Sequence, residues 1–235
     1  LLYSTITAFL GFKPNEGEYK VMGLAPYGTP LFYFKHFDKL INVTEDGFEL
    51  NLKYFSFHHS ETIMFNKRLS KLFGIPNRIP NEPLNDKHKN IAAALQCVYE
   101  KHFFRLLNNL YTKTKSDNLC LSGGCAYNGT ANGKIKDNTP FKNIWIPPAP
   151  SDAGSAIGAA LNYWNHITND RKQNKCPFLG PEETTTDYIK VLSKYKKEIS
   201  YELIVDNKLL PKVAKLICKG NIIGWVQGKL EFGAR

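Results

Sequence analysis

The segment from Asn118 to Ile135, NLCLSGGCAYNGTANGKI, is the most informative part of the sequence about the fold. It opens with an apolar run of strand length, continues through a Gly-Gly turn, and ends in a segment that predicts a helix. A second apolar run, NIWIP from Asn143 to Pro147, completes a unit of strand, helix and strand. Such a unit is typical of an α/β domain with a partly parallel sheet.

Helical patterns flank this unit on both sides. Apolar residues recur at spacings of three and four from Asn90 to Thr114, which predicts an amphipathic helix that Asn85 and Asp86 can cap. On the other side, SDAGSAIGAALNYW predicts a helix from Ser151 to Trp164 with Ser151 as its N-cap.

The composition shifts in the polar run from Asn165 to Pro181, which has no apolar periodicity. We take this run as a linker between a larger N-terminal unit and a smaller C-terminal one. In the smaller unit, DNKLLPKVAKLICKG predicts a helix that ends at Gly220, and NIIGWVQG predicts a strand.

The composition excludes several classes of protein. The 235 residues are 43% hydrophobic, 13% aromatic and 22% charged, unlike disordered, collagenous or coiled-coil chains. No stretch approaches the roughly 18 apolar residues of a membrane-spanning segment, so no membrane partner is expected. No targeting peptide is visible, and the final KLEFGAR has the character of an ordered turn, so we expect a fragment of something longer.

The charge favours an anionic partner, because 31 Lys and Arg against 21 Asp and Glu give a net charge of +10. The cations form short separated runs, as on solvated helix faces, so nucleotides and phosphates rank above nucleic acid. The five cysteines contain no C-x-x-C pair, which argues against a disulfide framework or a zinc site and favours a reduced cytoplasmic setting. Cys120 and Cys125 are predicted to fill the core.

The Gly-Gly turn is a candidate anion site. Gly123 and Gly124 lie between a predicted strand and a predicted helix. In this arrangement free backbone N–H groups can point at an anion. The spacing matches neither the P-loop nor the dinucleotide fingerprint. A tight turn that needs a positive φ is the alternative explanation of both glycines.

The segment from Pro147 to Ala160, PPAPSDAGSAIGAA, is a second candidate. Gly154 and the small residues around it leave one end of the helix without bulky side chains, so a ligand can come close to the backbone there. Asp152 offers a hard oxygen donor for a divalent metal that bridges nucleotide phosphates. The alternative is that Asp152 only complements the helix dipole.

Two further residue types invite a functional interpretation. Lys20, in EYKVMGLAPYG, could place its ammonium group on a phosphate, although it is equally explained as a surface lysine. The six histidines form no metal constellation, and His102, on the apolar row of the long helix, is predicted to be packed.

Several motifs together resemble one family, the NodU/CmcH-type carbamoyltransferases. They are, in order, EGEYKVMGLAPYG, NIAAALQ, NLCLSGGCAYNGTANGKI, IWIPPAPSDAGSAIGAAL and GNIIGWVQGKLEFGAR. The resemblance implies transfer of a carbamoyl group from carbamoyl phosphate, with ATP and through a carbamoyl-adenylate, to a hydroxyl of a small molecule.

The resemblance also implies two α/β domains. Residues 1–166 would be the C-terminal half of an ATP-fold domain of the actin, sugar-kinase and heat-shock type, which performs the transfer. Residues 167–235 would hold the linker and the N-terminal part of a YrdC-like domain, which forms the adenylate.

Site residues follow from the same resemblance. Ser122, Gly123, Gly124 and Asn128 would lie on the nucleotide side of the cleft, and Asp152 would be the carboxylate metal ligand. Iron, manganese or magnesium would suit such a site. The residue patterns above add Lys20 and Gly154 as further candidate nucleotide contacts. Lys229, Glu231 and Arg235 match the family's G-[RK]-x-E-F-G-P-R stretch, where basic groups meet carbamoyl phosphate or the adenylate.

This sequence departs from the family in two places. The family's metal site also needs an H-x-x-x-H pair, which does not occur here and is expected upstream of Leu1. Ala234 replaces the family's usual Pro, and the A-L-G-N-R-S segment that follows in the family is missing, so we expect this fragment to be inactive alone.

Other functions stay open at this point. Kinases and tRNA threonylcarbamoyl-transfer proteins share the ATP fold but would not continue into GWVQGKLEFGAR. A non-catalytic nucleotide- or RNA-binding module could exploit the positive charge, and a truncated, inactive carbamoyltransferase is a third option. The acceptor and the oligomeric state, a homodimer included, cannot be inferred from the sequence.

Overall fold

The computed structural model describes residues 1–171 and 176–233. The elements of this part, in chain order, are α1 (Leu2–Phe9), α2 (Glu18–Leu24), α3 (Phe34–Phe37), β1 (Ile41–Val43), β2 (Phe48–Leu50), α4 (Lys67–Phe73), α5 (Asp86–Thr114), β3 (Asn118–Cys120), α6 (Gly129–Asn132), α7 (Ile135–Asn138), β4 (Asn143–Trp145), α8 (Asp152–Thr168), α9 (Thr185–Lys194) and α10 (Asp206–Cys218). The fold is mixed α/β, rich in helix and with small sheets. Its residues form two compact units, Leu1–Ile146 and Pro147–Arg235.

Helix α5 is the centre of the first unit. Its start is fixed by a capping box, in which the Asn85 side chain accepts from the His88 N–H and His88 Nδ1 accepts from the Asn85 N–H. Ile91 and Leu95, one turn apart, are fully buried in a hydrophobic core that also contains residues of α1 to α4. Burial of each such side chain contributes about 2 kcal/mol. The predicted helix and its cap at Asn85 are confirmed, and His102 is packed as expected, at 7% exposure.

The two strands predicted from the apolar runs pair in parallel. Strand β3 runs beside β4, with Asn118 opposite Asn143 and Cys120 opposite Trp145. A small second core of Leu107, Leu119, Ile135 and Phe141 lies beneath this pair. The predicted parallel pairing is therefore confirmed, as two short strands. A separate antiparallel hairpin joins β1 to β2.

The segment between β3 and β4 is not one continuous helix. It divides into a 3₁₀ turn, Gly124–Tyr127, followed by the short helices α6 and α7. The break follows from Asn128, whose side chain accepts from the Ala131 N–H and so starts a new helix there.

The prediction that Cys120 and Cys125 fill the core is wrong. Both are exposed, and all five cysteines are free thiols. In β3 the exposed and buried positions alternate, so Leu119 takes the buried face and Cys120 the opposite one.

The second unit carries helices with exposed faces. Within its described residues, α8, α9 and α10 have no buried side chain. The predicted helices are present, and Gly220, with φ +80°, follows the end of α10 as expected. The predicted strand NIIGWVQG lacks a pairing partner among the described residues and is not a strand there, because a strand requires a neighbour for its hydrogen bonds.

The first four residues of the predicted linker, 165–168, are helical, because α8 continues to Thr168. Residues 172–175 of that linker, and with them part of its positive charge, lie outside the described residues. The division into domains 1–166 and 167–235 stays a prediction. Among the helices of residues 1–171 and 176–233, none is both long and apolar enough to cross a lipid bilayer.

Candidate functional site

The Gly-Gly turn lies at the carboxyl end of β3, the end at which ligands bind in parallel sheets. Gly123 has φ +89°, a left-handed conformation that strains any residue with a Cβ. A Cβ built on Gly123 or Gly124 would meet nothing within 4 Å. Open space therefore lies beside both glycines.

The backbone of this turn offers hydrogen-bond donors. Ser122, Gly123, Gly124 and Cys125 are all exposed. Within the part of the chain that the structure describes, no intramolecular hydrogen bond engages the N–H groups of these four residues. The turn can thus present successive N–H groups to an anion.

Asn128 does not share this exposure. Only 9% of it is accessible, and its side-chain amide bonds Gln96 on α5 and the Ala131 N–H. Asn128 thus stabilises the turn from behind. Direct contact between its side chain and a nucleotide stays a prediction.

Lys20 lies on α2 and is exposed. Its Nζ is 5.9 Å from the ring centroid of Phe12 and 5.9 Å from that of Tyr19. The Lys20 ammonium group therefore lies near two aromatic rings, and it is exposed and can contact an anion.

The start of α8 contains Asp152 in its first turn, where a carboxylate complements the helix dipole. A Cβ on Gly154 would lie 1.9 Å from the carbonyl oxygen of Ala149. Close packing of the preceding turn therefore explains this glycine. A ligand contact at Gly154 stays a prediction.

The segment that contains Lys229 and Glu231 is anchored through its backbone. The Gly180 N–H donates to the Leu230 carbonyl at 2.9 Å, and Glu231 forms an isolated antiparallel bridge with Phe178. A Cβ on Gly233 would lie 2.9 Å from the Pro148 carbonyl oxygen, so this segment approaches the turn that leads into α8. The side chains of Lys229 and Glu231 are exposed, and Arg235 lies outside the described residues.

Sequence reasoning missed three residues behind the Gly-Gly turn. Tyr3 donates to Gln96 Oε1 at 2.9 Å, and Tyr99 donates to the Cys125 carbonyl at 3.3 Å. Desolvation by burial raises the pKa of both tyrosines far above the usual range, so each stays a neutral donor. The third residue, Gln96, ends the NIAAALQ motif, but nothing in the sequence indicated its role or its partner 32 residues away.

A divalent metal needs more protein ligands than the described part of the chain brings together. Among the described residues, no group of three His, Cys, Asp or Glu side chains could hold a metal ion. Asp152 is exposed and can offer one oxygen ligand, and its role in metal binding stays a prediction.

The comparisons with known proteins agree on one family. A family model described as "Carbamoyltransferase N-terminus" matches residues 1–161. The chain belongs to the carbamoyltransferase family. The chain is 43% identical over 242 residues to an uncharacterized protein of Synechocystis sp., and the match covers 100% of the chain and 39% of the relative.

Two named relatives are nodulation proteins. Nodulation protein NolNO of Sinorhizobium fredii is 32% identical over 238 residues, covering 100% of the chain and 33% of the relative. Nodulation protein NolO of Bradyrhizobium diazoefficiens is 31% identical over 241 residues, covering 100% of the chain and 41% of the relative. The resemblance to NodU-type carbamoyltransferases is thus confirmed, and the chain spans between 33% and 41% of the length of these three relatives.

Proposed function

We propose that this chain is part of an ATP-dependent O-carbamoyltransferase. The observation that carries the proposal is the exposed turn Ser122–Cys125 at the carboxyl end of β3, in a chain whose residues 1–161 match the carbamoyltransferase N-terminus. In this proposal, residues 1–166 belong to an ATP-fold transfer domain and residues 167–235 begin a YrdC-like domain.

The proposed reaction has two steps. Carbamoyl phosphate and ATP, with one water consumed, give a carbamoyl-adenylate, pyrophosphate and phosphate. The hydroxyl of a small acceptor then attacks the carbamoyl carbon and loses its proton, and AMP leaves. ATP supplies the energy by activating the carbonyl carbon with a good leaving group.

The residues of this chain bind and orient the reactants. The N–H groups of Ser122, Gly123, Gly124 and Cys125 would hold nucleotide phosphate oxygens, and the ammonium of Lys20 would add positive charge. Such a turn is fixed before the ligand arrives, and misplacement of reacting groups by about 1 Å can cost roughly 100-fold in rate.

The remaining assignments extend the same proposal. Lys229, Glu231 and Arg235 would meet carbamoyl phosphate or the adenylate, where an arginine fork can donate two parallel hydrogen bonds. Asp152 would be one carboxylate ligand of iron, manganese or magnesium, and this metal would act as a Lewis acid. The five free cysteines agree with a reduced cytoplasmic setting.

The direct test is Gly124→Leu in the full-length protein, meaning the longest product that the coding sequence specifies. Leucine fits because a Cβ at Gly124 meets no atom within 4 Å and φ there is not left-handed, yet its side chain enters the space proposed for phosphate. We expect the dissociation constant for ATP to rise about tenfold, which corresponds to about 1.4 kcal/mol.

The matched control is Gly47→Leu in the β1–β2 hairpin, where the nearest atom to a new Cβ is 3.8 Å away. Pyrophosphate release that depends on both ATP and carbamoyl phosphate is measured alongside binding. Unchanged ATP affinity in Gly124→Leu would remove the turn from the site. Salt-dependent RNA binding without pyrophosphate release would favour the binding-module alternative.

A further inference from the structure

A buried pair of side-chain amides joins α5 to the end of the Gly-Gly turn. Gln96 Nε2 donates to Asn128 Oδ1 at 3.1 Å, and Asn128 Nδ2 donates back to Gln96 Oε1 at 3.0 Å. Gln96 is 6% exposed and Asn128 is 9% exposed. Removal of one partner would leave a buried polar group without its hydrogen bond, which is costlier than loss of an exposed one.

The orientation of both amides is dictated by neighbours whose roles are unambiguous. Glu100 Oε1 accepts from Gln96 Nε2 at 2.8 Å, so the amino group of Gln96 must face that carboxylate. The Ala131 N–H donates to Asn128 Oδ1 at 3.0 Å, so the carbonyl of Asn128 must face that amide. Neither side chain can flip without opposing donor to donor or acceptor to acceptor.

The network extends beyond the pair on both sides. Tyr3 on α1 donates to Gln96 Oε1 at 2.9 Å, which gives every donor and acceptor of the Gln96 amide a partner. Lys134 Nζ lies 2.7 Å from Glu100 Oε2 and fixes that carboxylate in turn. Networks of this kind, when every member is satisfied, hold one arrangement of the chain.

The same face of α5 also holds the middle of the turn. The 3₁₀ segment Gly124–Tyr127 has Asn128 as its C-cap. Tyr99, one turn after Gln96 along α5, donates to the Cys125 carbonyl at 3.3 Å and stacks on Phe103 with ring centroids 5.5 Å apart. The turn is thus attached to α5 at both Cys125 and Asn128.

We propose that Gln96 is a positioning residue of the nucleotide site, which acts through Asn128 to set the place of the Ser122–Cys125 N–H groups. The inference rests on the proposed function, because it assumes that these N–H groups bind nucleotide phosphate. Gln96 itself touches no ligand. The backbone of Gly123 and Gly124 has no side chain to hold it, so its position depends on the anchors that follow it.

The experiment compares Gln96→Met with a matched variant, Asn108→Leu, in the full-length protein. Asn108 is another amide on α5, and it donates to the Asn138 carbonyl at 3.0 Å, at the end of α7. Both substitutions replace an amide by an apolar side chain of similar size. ATP affinity, the KM for carbamoyl phosphate and the melting temperature are measured for each.

We expect Gln96→Met to weaken ATP binding about tenfold and to leave the KM for carbamoyl phosphate within about twofold. Asn108→Leu is expected to lower the melting temperature without changing ATP affinity. Gln96→Asn, which keeps an amide but shortens it by one methylene, should weaken ATP binding in the same direction and covers the case in which Gln96→Met does not fold.

The outcomes separate this inference from the proposed function. Unchanged ATP affinity in Gly124→Leu would remove the turn from the nucleotide site, and with it the observation that carries the proposed function. If Gly124→Leu weakens ATP binding but both Gln96 variants weaken it no more than Asn108→Leu does, the turn binds nucleotide and the positioning role of Gln96 is overturned.

Discussion

The Gly-Gly turn after β3 and the glycine at the start of α8 look alike in sequence and differ in space. A Cβ at Gly123 or Gly124 would enter open space, whereas a Cβ at Gly154 would lie 1.9 Å from the Ala149 carbonyl oxygen. One glycine pair leaves room for a ligand, and the other glycine makes room for the protein's own backbone. A glycine-rich segment becomes a candidate site only when the space beside it is empty.

The largest effect that this comparison predicts is on stability. Gly154→Ala should lower the free energy of unfolding by about 2 kcal/mol, since the new methyl group overlaps a backbone carbonyl that cannot move without shifting the turn. Urea denaturation measures the change through its midpoint. Gly158→Ala on the same helix is the control. Its Cβ meets nothing within 4 Å, so higher helix propensity should raise stability by about 0.5 to 1 kcal/mol.

Gly154→Ala with wild-type stability would break the comparison, because the close approach of Ala149 would then not require a glycine. A loss of ATP affinity at unchanged stability would return Gly154 to the candidate ligand contacts.

A smaller effect separates the two glycines of the turn. Gly123→Ala should lower the free energy of unfolding by about 1 kcal/mol because its φ of +89° is unfavourable for alanine. Gly124→Ala should change it by less than about 0.5 kcal/mol. Thermal and urea unfolding of both variants check this difference. Equal losses would mean that Gly124, too, is held by its conformation.

The smallest effect concerns Asp152. Asp152→Asn should lower stability by about 0.5 kcal/mol, because the carboxylate complements the α8 dipole whether or not a metal binds. Metal analysis of the purified full-length protein distinguishes the two roles. A metal ligand predicts reduced metal content together with slower carbamoyl transfer, and unchanged values of both would leave only the dipole.

Much of the fold was predictable from local pattern. The apolar spacing of Ile91, Leu95 and Val98 gave α5, and the two apolar runs gave the parallel strands β3 and β4. These signals are local, since periodicity and turn residues act within one or two turns of chain. The strand expected at 221–228 was not found because strand formation depends on a neighbour that local pattern does not supply.

The candidate site was predictable in its exposed part and not in its support. Gly123, Gly124 and Ser122 predicted a turn with free N–H groups. The amide pair of Gln96 and Asn128 joins residues 32 apart in sequence, and its geometry depends on Glu100 and Ala131 as well. Long-range polar contacts of this kind leave no period in the sequence. The exposure of Cys120 is a simpler case, in which strand alternation around Leu119 decided the face.

The amide pair of Gln96 and Asn128 also affects the chemical stability of the Asn128 side chain. Asn128 is followed by Gly129, and an asparagine before glycine readily loses its side-chain amide when the glycine nitrogen attacks the side-chain carbonyl carbon. Three hydrogen bonds restrain the Asn128 side chain and limit its freedom to reach that geometry. The contacts that fix the turn therefore also slow spontaneous deamidation, and a chain deamidated at Asn128 would lose the Nδ2 donor to Gln96 and gain a buried negative charge beside it.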